Sequence, residues 1–421
     1  MSASKVSQFG GAKHELHAST VDDVLERIGV GFFVALAFLV CGMGWLADSG
    51  WIQAAVLMAE PIQREFGVDN TLSSLLLSML FAGQAVSAPF VGLLADRYGR
   101  KPLYAATTLI TAIFAVVVAM ASSYAMLAIG MTLVGVGVGG SLPLAGTIFV
   151  EMCPKHVRGL LTSLLTICWS LGSVILALVG WAILPNNTCP APSMNASDLS
   201  YICDPSTNTG WRALPWTLMS LHLLTLGLLC ALPESPMWLL SVGREAEAAN
   251  VLRFAALISC RPMVLSTCTL VLPAALPQDS HRRRCLGLCP SSTGELRTPG
   301  MRLTFGLLLA VWFVSNYAYG TFNSQQVVLI NAATDNAGLD EDPSRTYTNT
   351  LIYASAGVPG ALAAALLVES PVGRRRTLAI GSGLAGAAFG AFILARSEGA
   401  IIGSLFVVNF FAQIMYGALY L

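Results

Sequence analysis

The stretch Gly92-Leu-Leu-Ala-Asp96-Arg97-Tyr98-Gly99-Arg100-Lys101 decides the fold, because it places four charges and a glycine between two long uncharged segments. Residues 70–95 before it contain no charged side chain, and neither do residues 102–150 after it. A helix that spans the ~30 Å hydrocarbon core of a bilayer needs about 20 predominantly apolar residues. The pattern therefore predicts a short loop between membrane-spanning helices.

The composition of the whole chain agrees with this prediction. Of 421 residues, 55% are hydrophobic and 11% are charged, whereas soluble proteins carry about 25% charged residues. The net charge of zero argues against a nucleic-acid-binding protein, which would have a basic excess. The five histidines form no H-x-x-x-H pair, so we predict neither a metal site nor a cofactor.

Reading between the charges predicts an all-α polytopic membrane protein with ten spans. The predicted domains are a cytoplasmic N-terminal segment 1–29, a six-helix bundle 30–233, a cytoplasmic central loop 234–301 and an incomplete bundle of about four helices, 302–421. The spans are predicted near 31–56, 72–95, 104–120, 125–149, 160–184, 213–232, 303–326, 351–368, 378–395 and 401–420.

Positive charges predict the orientation of these spans. With the N-terminus in the cytoplasm, the inside segments hold 19 lysines and arginines and the outside segments hold four, as the positive-inside rule requires. The outer loop between spans five and six then contains two N-x-[ST] sequons, at Asn186 and Asn195, which are glycosylation candidates. Cys189 and Cys203 lie in the same loop and are candidates for a disulfide.

A second basic loop follows span eight, with Gly373, Arg374 and Arg375 downstream of an acid. It occupies the place in the second half that residues 92–101 occupy in the first. Such an internal repeat is typical of transporters built from duplicated halves, in which access to a central site alternates between the two sides of the membrane.

These motifs identify a resemblance. Residues 92–101 resemble the G-x-x-x-D-R-x-G-R-[RK] loop of the major facilitator superfamily. The segments that contain Glu151 and Arg158, and Glu234, resemble its E-x-x-P-x-x-x-R-G and P-E-S-P-R-W-L motifs. The resemblance implies a fold of two six-helix halves, of which the last two helices are missing here, and a cytoplasmic gating motif. Its residues would be Gly92, Asp96, Arg97, Gly99, Arg100, Lys101, Glu151, Arg158, Glu234, Gly373, Arg374 and Arg375.

Asp48 is the only charged residue between positions 28 and 59. It resembles the span-one acid of the synaptic-vesicle glycoprotein 2 and related-protein branch, which is near the sugar and organic-ion porters. An ionised carboxylate near the centre of a bilayer costs about 2.5–3.5 kcal/mol on insertion scales, so it needs a compensating role. We interpret Asp48 as a proton-coupling residue; the alternative is an acid that only packs helices together. Where the family has an arginine in span four, this chain has Met131.

Polar side chains form one face of span seven and one face of span ten. Their spacing of three or four residues places them on the same side of each helix, and amides cannot face lipid unsatisfied. Solute binding and helix-to-helix hydrogen bonding are the two explanations. With two further side chains, the substrate-cavity candidates are Trp45, Gln84, Trp312, Asn316, Tyr319, Asn323, Gln326, Asn409, Gln413 and Tyr416.

The function predicted from these features is secondary active transport of a small organic, charged or uncharged, solute by alternating access. The proton is the predicted coupling ion, and the protein is expected to be monomeric and to reside in the plasma membrane or a vesicle membrane. No P-loop is present, so the sequence does not predict an ATP-driven pump. The alternative is a membrane glycoprotein, or an inactive truncated transporter, that acts through partners. An enzyme is not predicted, because no catalytic constellation is visible.

Overall fold

A computed structural model of the protein describes residues 17–189, 203, 207–261, 268–270, 299–336 and 343–420. Across these ranges the chain is helical apart from two paired three-residue strands, β1 (His17–Ser19) and β2 (Cys268–Leu270). The all-α membrane fold predicted from the sequence is confirmed. The helices are α1 (Val21–Ile28), α2 (Phe32–Phe66), α3 (Asn70–Tyr98), α4 (Arg100–Ala119), α5 (Tyr124–Met152), α6 (Lys155–Ile183), α7 (Ala213–Leu229), α8 (Pro236–Ser241), α9 (Glu245–Ile258), α10 (Pro299–Asn336), α11 (Pro343–Ser355), α12 (Gly357–Glu369), α13 (Gly373–Leu394) and α14 (Glu398–Leu419).

Nine stretches of helix in the described part are long and apolar enough to cross a membrane. They match nine of the ten predicted spans, and α11 with α12, which meet at Ala356, form the eighth. The remaining predicted span, the sixth, is α7. Its 17 residues are at the lower limit of what a bilayer requires, and a 3-10 turn at Gly210–Arg212 precedes it.

The charged motif between α3 and α4 is tighter than a loop. Only Gly99 separates the two helices, and its φ of +112° is a backbone conformation that side chains with a β-carbon rarely adopt. Its N–H closes α3 by donating to the carbonyl of Ala95 at 3.0 Å. Gly373, with φ of +71°, has the matching place as the first residue of α13. The glycines of the repeated motif therefore make the two sharp turns.

The central segment was predicted as a loop, but it contains α8 and α9. Helix α9 has a buried face that includes Leu252 and Ala255, and this face packs in one cluster with Leu25 and Ile28 of α1. The two short helices are stabilised because each buries an apolar stripe against the other. Apolar periodicity in the sequence predicts such a stripe but does not identify the helix that it packs against. Of residues 262–276, an apolar stretch in the sequence, only β2 is among the described residues.

Close helix packing shapes the N-terminal half, which consists of α2 to α7. A β-carbon on Gly135 of α5 would collide with the backbone carbonyl of Leu80 of α3, and one on Gly172 of α6 would collide with the carbonyl of Leu46 of α2. Glycine lets such backbones approach each other in membrane bundles. The C-terminal half, α10 to α14, packs less tightly, and most of α10 before residue 315 is exposed, including Leu303 and Phe313.

The helical bundle has two ends with different chemistry. The motif end is the end that contains Gly99, where α3 meets α4. The disulfide end is the opposite end, where Cys189 and Cys203 are joined by a disulfide.

Candidate solute and proton site

Asp48 lies within α2 and is buried, with 1% of its surface exposed. Two other helices contact its carboxylate. The hydroxyl of Ser141 on α5 donates to Oδ2 at 2.8 Å, and Nε2 of His222 on α7 lies 3.3 Å from Oδ1. An acid, a hydroxyl and an imidazole therefore meet inside the N-terminal half.

His222 is as deeply buried as Asp48. Its second ring nitrogen, Nδ1, lies 2.8 Å from the backbone carbonyl oxygen of Leu218, one turn earlier in α7. The imidazole is therefore held at both nitrogens, one by its own helix and one by α2. A third helix, α4, contributes the hydroxyl of Tyr104, which packs against Gly44 one turn before Asp48.

Trp45, one turn before Asp48, connects the two halves of the molecule. Its indole N–H donates to the carbonyl of Leu142 at 3.3 Å, which fixes the ring within the N-terminal half. The ring centroid lies 5.0 Å from that of Tyr420, which follows α14. Tyr420 in turn lies 4.9 Å from Trp312 of α10. Three large aromatic side chains therefore form a continuous wall across the junction between the halves.

A cluster of amides and phenols lies beside this wall in the C-terminal half. Asn323, Asn409 and Gln413 are 2–3% exposed, and the Tyr319 ring packs edge-on against Tyr416 at 5.1 Å. The Tyr416 hydroxyl donates to the carbonyl of Ser315 at 3.2 Å, and the Asn409 amide donates to the carbonyl of Tyr353 at 2.7 Å. Within the described residues, Oδ1 of Asn409 is buried and accepts no hydrogen bond from the protein. The cluster therefore has an acceptor available for a ligand.

Two predicted cavity residues, Asn316 and Gln84, do not join this cluster. Asn316 is exposed on α10 and donates to the carbonyl of Trp312 on its own helix, so its amide is satisfied without facing the protein. Gln84 is half-buried on α3, where its backbone packs against Gly139. Gln326 belongs to α10, but its side chain lies outside the described residues.

The motif end contains a network of charges around Arg100. Its guanidinium contacts Asp96 at 2.6 Å and Glu151 of α5 at 3.1 Å. The carboxylate of Glu234 accepts from the backbone N–H of Lys101 at 3.2 Å, at the beginning of α4, where a helix N-terminus favours negative charge. Five residues predicted for the gating motif thus contact another member of it, and these contacts join α3, α4 and α5 to the segment before α8.

Helix α1 extends this network across the loop between α5 and α6. Asp22 contacts Lys155 at 3.0 Å and Arg158 at 2.9 Å. Glu26 accepts from the backbone N–H of His156 at 2.9 Å and also contacts its ring. The first of these hydrogen bonds is the main cause that lowers the pKa of Glu26. The N-terminal segment is therefore docked on the loop that contains the E-x-x-P-x-x-x-R-G motif.

The other predicted motif residues lie around these contacts. Glu369 and Arg374 of the second half reach Gly159 of α6, where a β-carbon would lie 2.7 Å from the Glu369 carboxylate. The repeated motif thus meets the first half at the motif end. Arg97 lies over the Tyr98 ring at 5.4 Å, Arg375 is exposed, and Gly92 has open space beside it.

A second buried carboxylate, Glu65, lies near the disulfide end of α2. Both of its oxygens accept from the Arg212 guanidinium, at 2.6 and 3.0 Å. The indole of Trp211 donates to it at 2.7 Å and the amide of Asn208 at 3.0 Å. The disulfide between Cys189 and Cys203 lies close by, since the Cys203 N–H donates to the carbonyl of Arg64.

The two predicted glycosylation sites lie in the loop that this disulfide closes or borders. Asn186 is exposed at the end of a 3-10 turn, Leu184–Asn186, and Asn195 lies outside the described residues.

Sequence reasoning did not single out His222 or Glu65. His222 is the only titratable side chain within α7, and an ionisable residue inside a span is by itself a reason to expect a functional or paired group. That signal was available. Glu65 gave no comparable signal, because it stands among other polar residues where charge near the membrane surface is ordinary.

Comparison with known proteins gives a consistent result. The family model described as "Sugar (and other) transporter" matches residues 26–260. The MFS siderochrome iron transporter 1 of Ceriporiopsis subvermispora is 32% identical over 97% of this chain and 78% of its own length. The synaptic vesicle 2-related protein of Xenopus laevis is 25% identical over 86% of this chain and 61% of its own. The xylose transporter XylE of E. coli, also described as a proton:xylose symporter, has a similar fold, with a TM-score of 0.66 at 17% identity over 92% of this chain and 83% of its own.

Proposed function

This chain belongs to the sugar (and other) transporter family of the major facilitator superfamily, and from that premise we propose that it moves a small organic solute across a membrane by alternating access. We further propose that the movement is coupled to protons through Asp48. The N-terminus would be cytoplasmic, the motif end would face the cytoplasm, and the protein would act as a monomer. Asn186 and Asn195 would then be on the outer side, where they can be glycosylated.

The observation that carries this proposal is the Asn409 acceptor in the cluster of amides and phenols, which is buried and has no hydrogen bond from the protein within the described residues. A buried polar atom without a hydrogen bond costs about 1–3 kcal/mol, so such an atom is expected at a site where a ligand completes the bonding. Asn323 and Gln413 add further amide groups. The aromatic rings of Trp45, Trp312 and Tyr420 offer flat faces to a ring-shaped or apolar part of the solute.

The position of Asp48 supports the coupling. It is one helical turn from Trp45, on the same face of α2, and Trp45 contacts Tyr420 of the C-terminal half. A change in the charge of the Asp48 carboxylate can therefore alter the wall that contacts the solute. A proton and a solute are coupled when each changes the affinity for the other.

The charged contacts at the motif end support alternating access. In the first half they join helices of one bundle, whereas the contact of Glu369 and Arg374 with Gly159 joins the two halves. At the other end, the Trp181 indole donates to the Thr348 hydroxyl of α11 at 3.1 Å. The proposed cycle opens one of these junctions while the other remains closed.

The test uses the purified chain in proteoliposomes, with uptake of radiolabelled D-xylose, nicotinate and a ferric siderochrome measured with and without an inward proton gradient. We expect saturable uptake of at least one solute, with about tenfold less uptake after Asn409→Ala. Asn316→Ala is the matched control, because it removes the same amide from an exposed position, and it should leave uptake unchanged. If folded protein transports none of the solutes, the result favours the glycoprotein that acts through partners.

A further inference from the structure

Among the buried titratable groups, Asp48 and His222 contact each other, and this contact restricts where their protons can lie. A backbone carbonyl oxygen can only accept a hydrogen bond, so Nδ1 of His222 must carry the proton that it shares with Leu218. If the imidazole is neutral, Nε2 then has only a lone pair. Nε2 lies 3.3 Å from Oδ1 of Asp48, and an ionised carboxylate also has only lone pairs.

The contact between the two residues therefore requires a proton. Either Asp48 is protonated and donates to neutral His222, or His222 is the imidazolium and donates to ionised Asp48. In both arrangements the pair holds one proton and has no net charge, which is the least costly state for groups that are 1% exposed. Loss of that proton would leave two acceptors facing each other and one uncompensated negative charge.

The other groups that face Asp48 do not replace this proton. The hydroxyl of Ser141 on α5 lies 2.8 Å from Oδ2 and 3.2 Å from the carbonyl of Val138, so its single proton goes to one of these two acceptors and not to Oδ1. The phenol of Tyr104 on α4 packs against Gly44, and Cys41 lies on α2 itself, one turn earlier still. Within the described residues, His222 is the only basic group in contact with the carboxylate.

We infer that Asp48 and His222 bind the transported proton together, as one site shared by α2 and α7. On release, the proton of the pair passes to a water molecule, which becomes hydronium, and the pair becomes an ionised carboxylate beside a neutral imidazole. Repulsion between the facing lone pairs then separates α2 from α7 at this point. On binding, hydronium returns the proton and the contact reforms. This inference rests on the proposed proton coupling and assigns His222 as a positioning and proton-sharing residue.

The first experiment needs no solute. The full chain is labelled with 15N-histidine, and the ring signals are followed against pH in nanodiscs; the signal that disappears in His222→Gln is that of His222. We expect its apparent proton affinity to change at least tenfold in Asp48→Asn, because two groups that share a proton titrate as a pair. His156, which contacts Glu26 at the motif end, is the internal control and should not change. An unchanged His222 titration in Asp48→Asn overturns the shared site.

The second experiment separates this inference from the proposed function. Gradient-driven uptake and exchange at equal pH are measured for Asp48→Asn, His222→Gln and the double variant, with whichever of D-xylose, nicotinate or ferric siderochrome the wild type takes up. We expect each single variant to lose at least tenfold in gradient-driven uptake, with exchange retained, and the double variant to lose no more than either single. If Asp48→Asn loses coupling while His222→Gln keeps it, the shared site is wrong and the proposed coupling stands. If Asp48→Asn keeps coupling, the proposed coupling itself is wrong.

His222→Asn is the reserve variant if His222→Gln does not give monodisperse protein, and it has the same expected outcomes.

Discussion

Helix α2 carries two buried carboxylates whose surroundings are opposite. The Glu65 side chain is 2% exposed and that of Asp48 is 1% exposed, so both have left water to a similar extent. Glu65 accepts four hydrogen bonds, two of them from Arg212 and one each from Trp211 and Asn208. Asp48 contacts one hydroxyl and one imidazole.

The difference lies in whether the partners can give up protons. The guanidinium, indole and amide groups around Glu65 are donors that keep their protons at any physiological pH, so they donate to the Glu65 carboxylate throughout that range. The imidazole beside Asp48 is the one side chain that ordinarily changes charge near neutral pH. Burial alone therefore does not mark a coupling residue. Asp48, unlike Glu65, contacts a side chain that can take up a proton.

The largest expected effect is that of a substitution at Glu65. Glu65→Gln removes the charge that Arg212 pairs with and leaves the guanidinium uncompensated, because Arg212 is partly buried. Removing one partner of a buried ion pair costs roughly 3–5 kcal/mol, and we expect that loss in the free energy of unfolding measured in detergent. Glu60→Gln is the control, since Glu60 pairs with Arg64 but is one-third exposed, and it should cost less than about 1 kcal/mol.

The second expected effect is also confined to the disulfide end. Replacing Cys189 and Cys203 with serine opens a loop with a sequence separation of 14 residues, for which the chain-entropy model gives a loss of roughly 3 kcal/mol. The unfolding midpoint should fall, and the proton dependence of uptake by the surviving folded protein should stay the same. Altered coupling in this double variant would contradict the separation of the two carboxylates into one structural and one functional site.

The third prediction concerns Asp48. Asp48→Asn keeps the shape, and its amide can accept from Ser141 and donate to Nε2 of His222, so we expect the free energy of unfolding to change by less than about 1.5 kcal/mol. Gradient-driven uptake should fall at least tenfold. A loss of stability as large as that of Glu65→Gln would mean that Asp48 serves packing, as the alternative interpretation holds.

A smaller effect is expected at the hydroxyl that supports Asp48. Ser141→Ala removes the donor to Oδ2 but leaves the contact with His222, so it should cost about 0.5–1.5 kcal/mol and shift the pH profile of uptake without abolishing it. Ser220→Ala on α7 is the control, because the Ser220 hydroxyl bonds only the carbonyl of Thr217 among the described residues. Equal pH profiles for Ser141→Ala and wild type would show that Oδ2 does not contribute to coupling.

The smallest effect extends the comparison to a carboxylate at the surface. The pKa of Glu26 is lowered from 4.5, chiefly by the backbone N–H of His156. The contribution of this contact to stability is therefore present above pH 4.5 and is lost as the pH falls through the lowered pKa. The protection of α1 amides against hydrogen exchange, corrected for the intrinsic exchange rate at each pH, should therefore fall when the pH is lowered from 6 to 3, and much less so in Glu26→Gln. The unfolding midpoint should not distinguish that variant from wild type at pH 7.

Much of the fold could be predicted from the chain alone. The uncharged segments predicted the spans because lipid excludes charged side chains, and the length of an uncharged segment can be read directly from the sequence. The motif glycine Gly99 predicted the turn between α3 and α4, because only a residue without a β-carbon readily adopts its backbone conformation. The helices α8 and α9 were missed, since the apolar face of α9 packs with α1, which is more than 200 residues away in the sequence.

The sequence by itself also determined that an acid stands in the first span, that amides line one face of each of two spans, and that the motifs of a transporter family are present. Only the tertiary structure decided which of these groups meet. It placed His222 against Asp48 and left the Asn409 oxygen without a hydrogen bond from any of the described residues. It also placed Asn316 on the exposed side of α10, although Asn316 shares the spacing of its neighbours. The physical reason is that a helical period gives the face on which a side chain lies, whereas a hydrogen bond forms only over about 3 Å, and that distance depends on how separate helices pack.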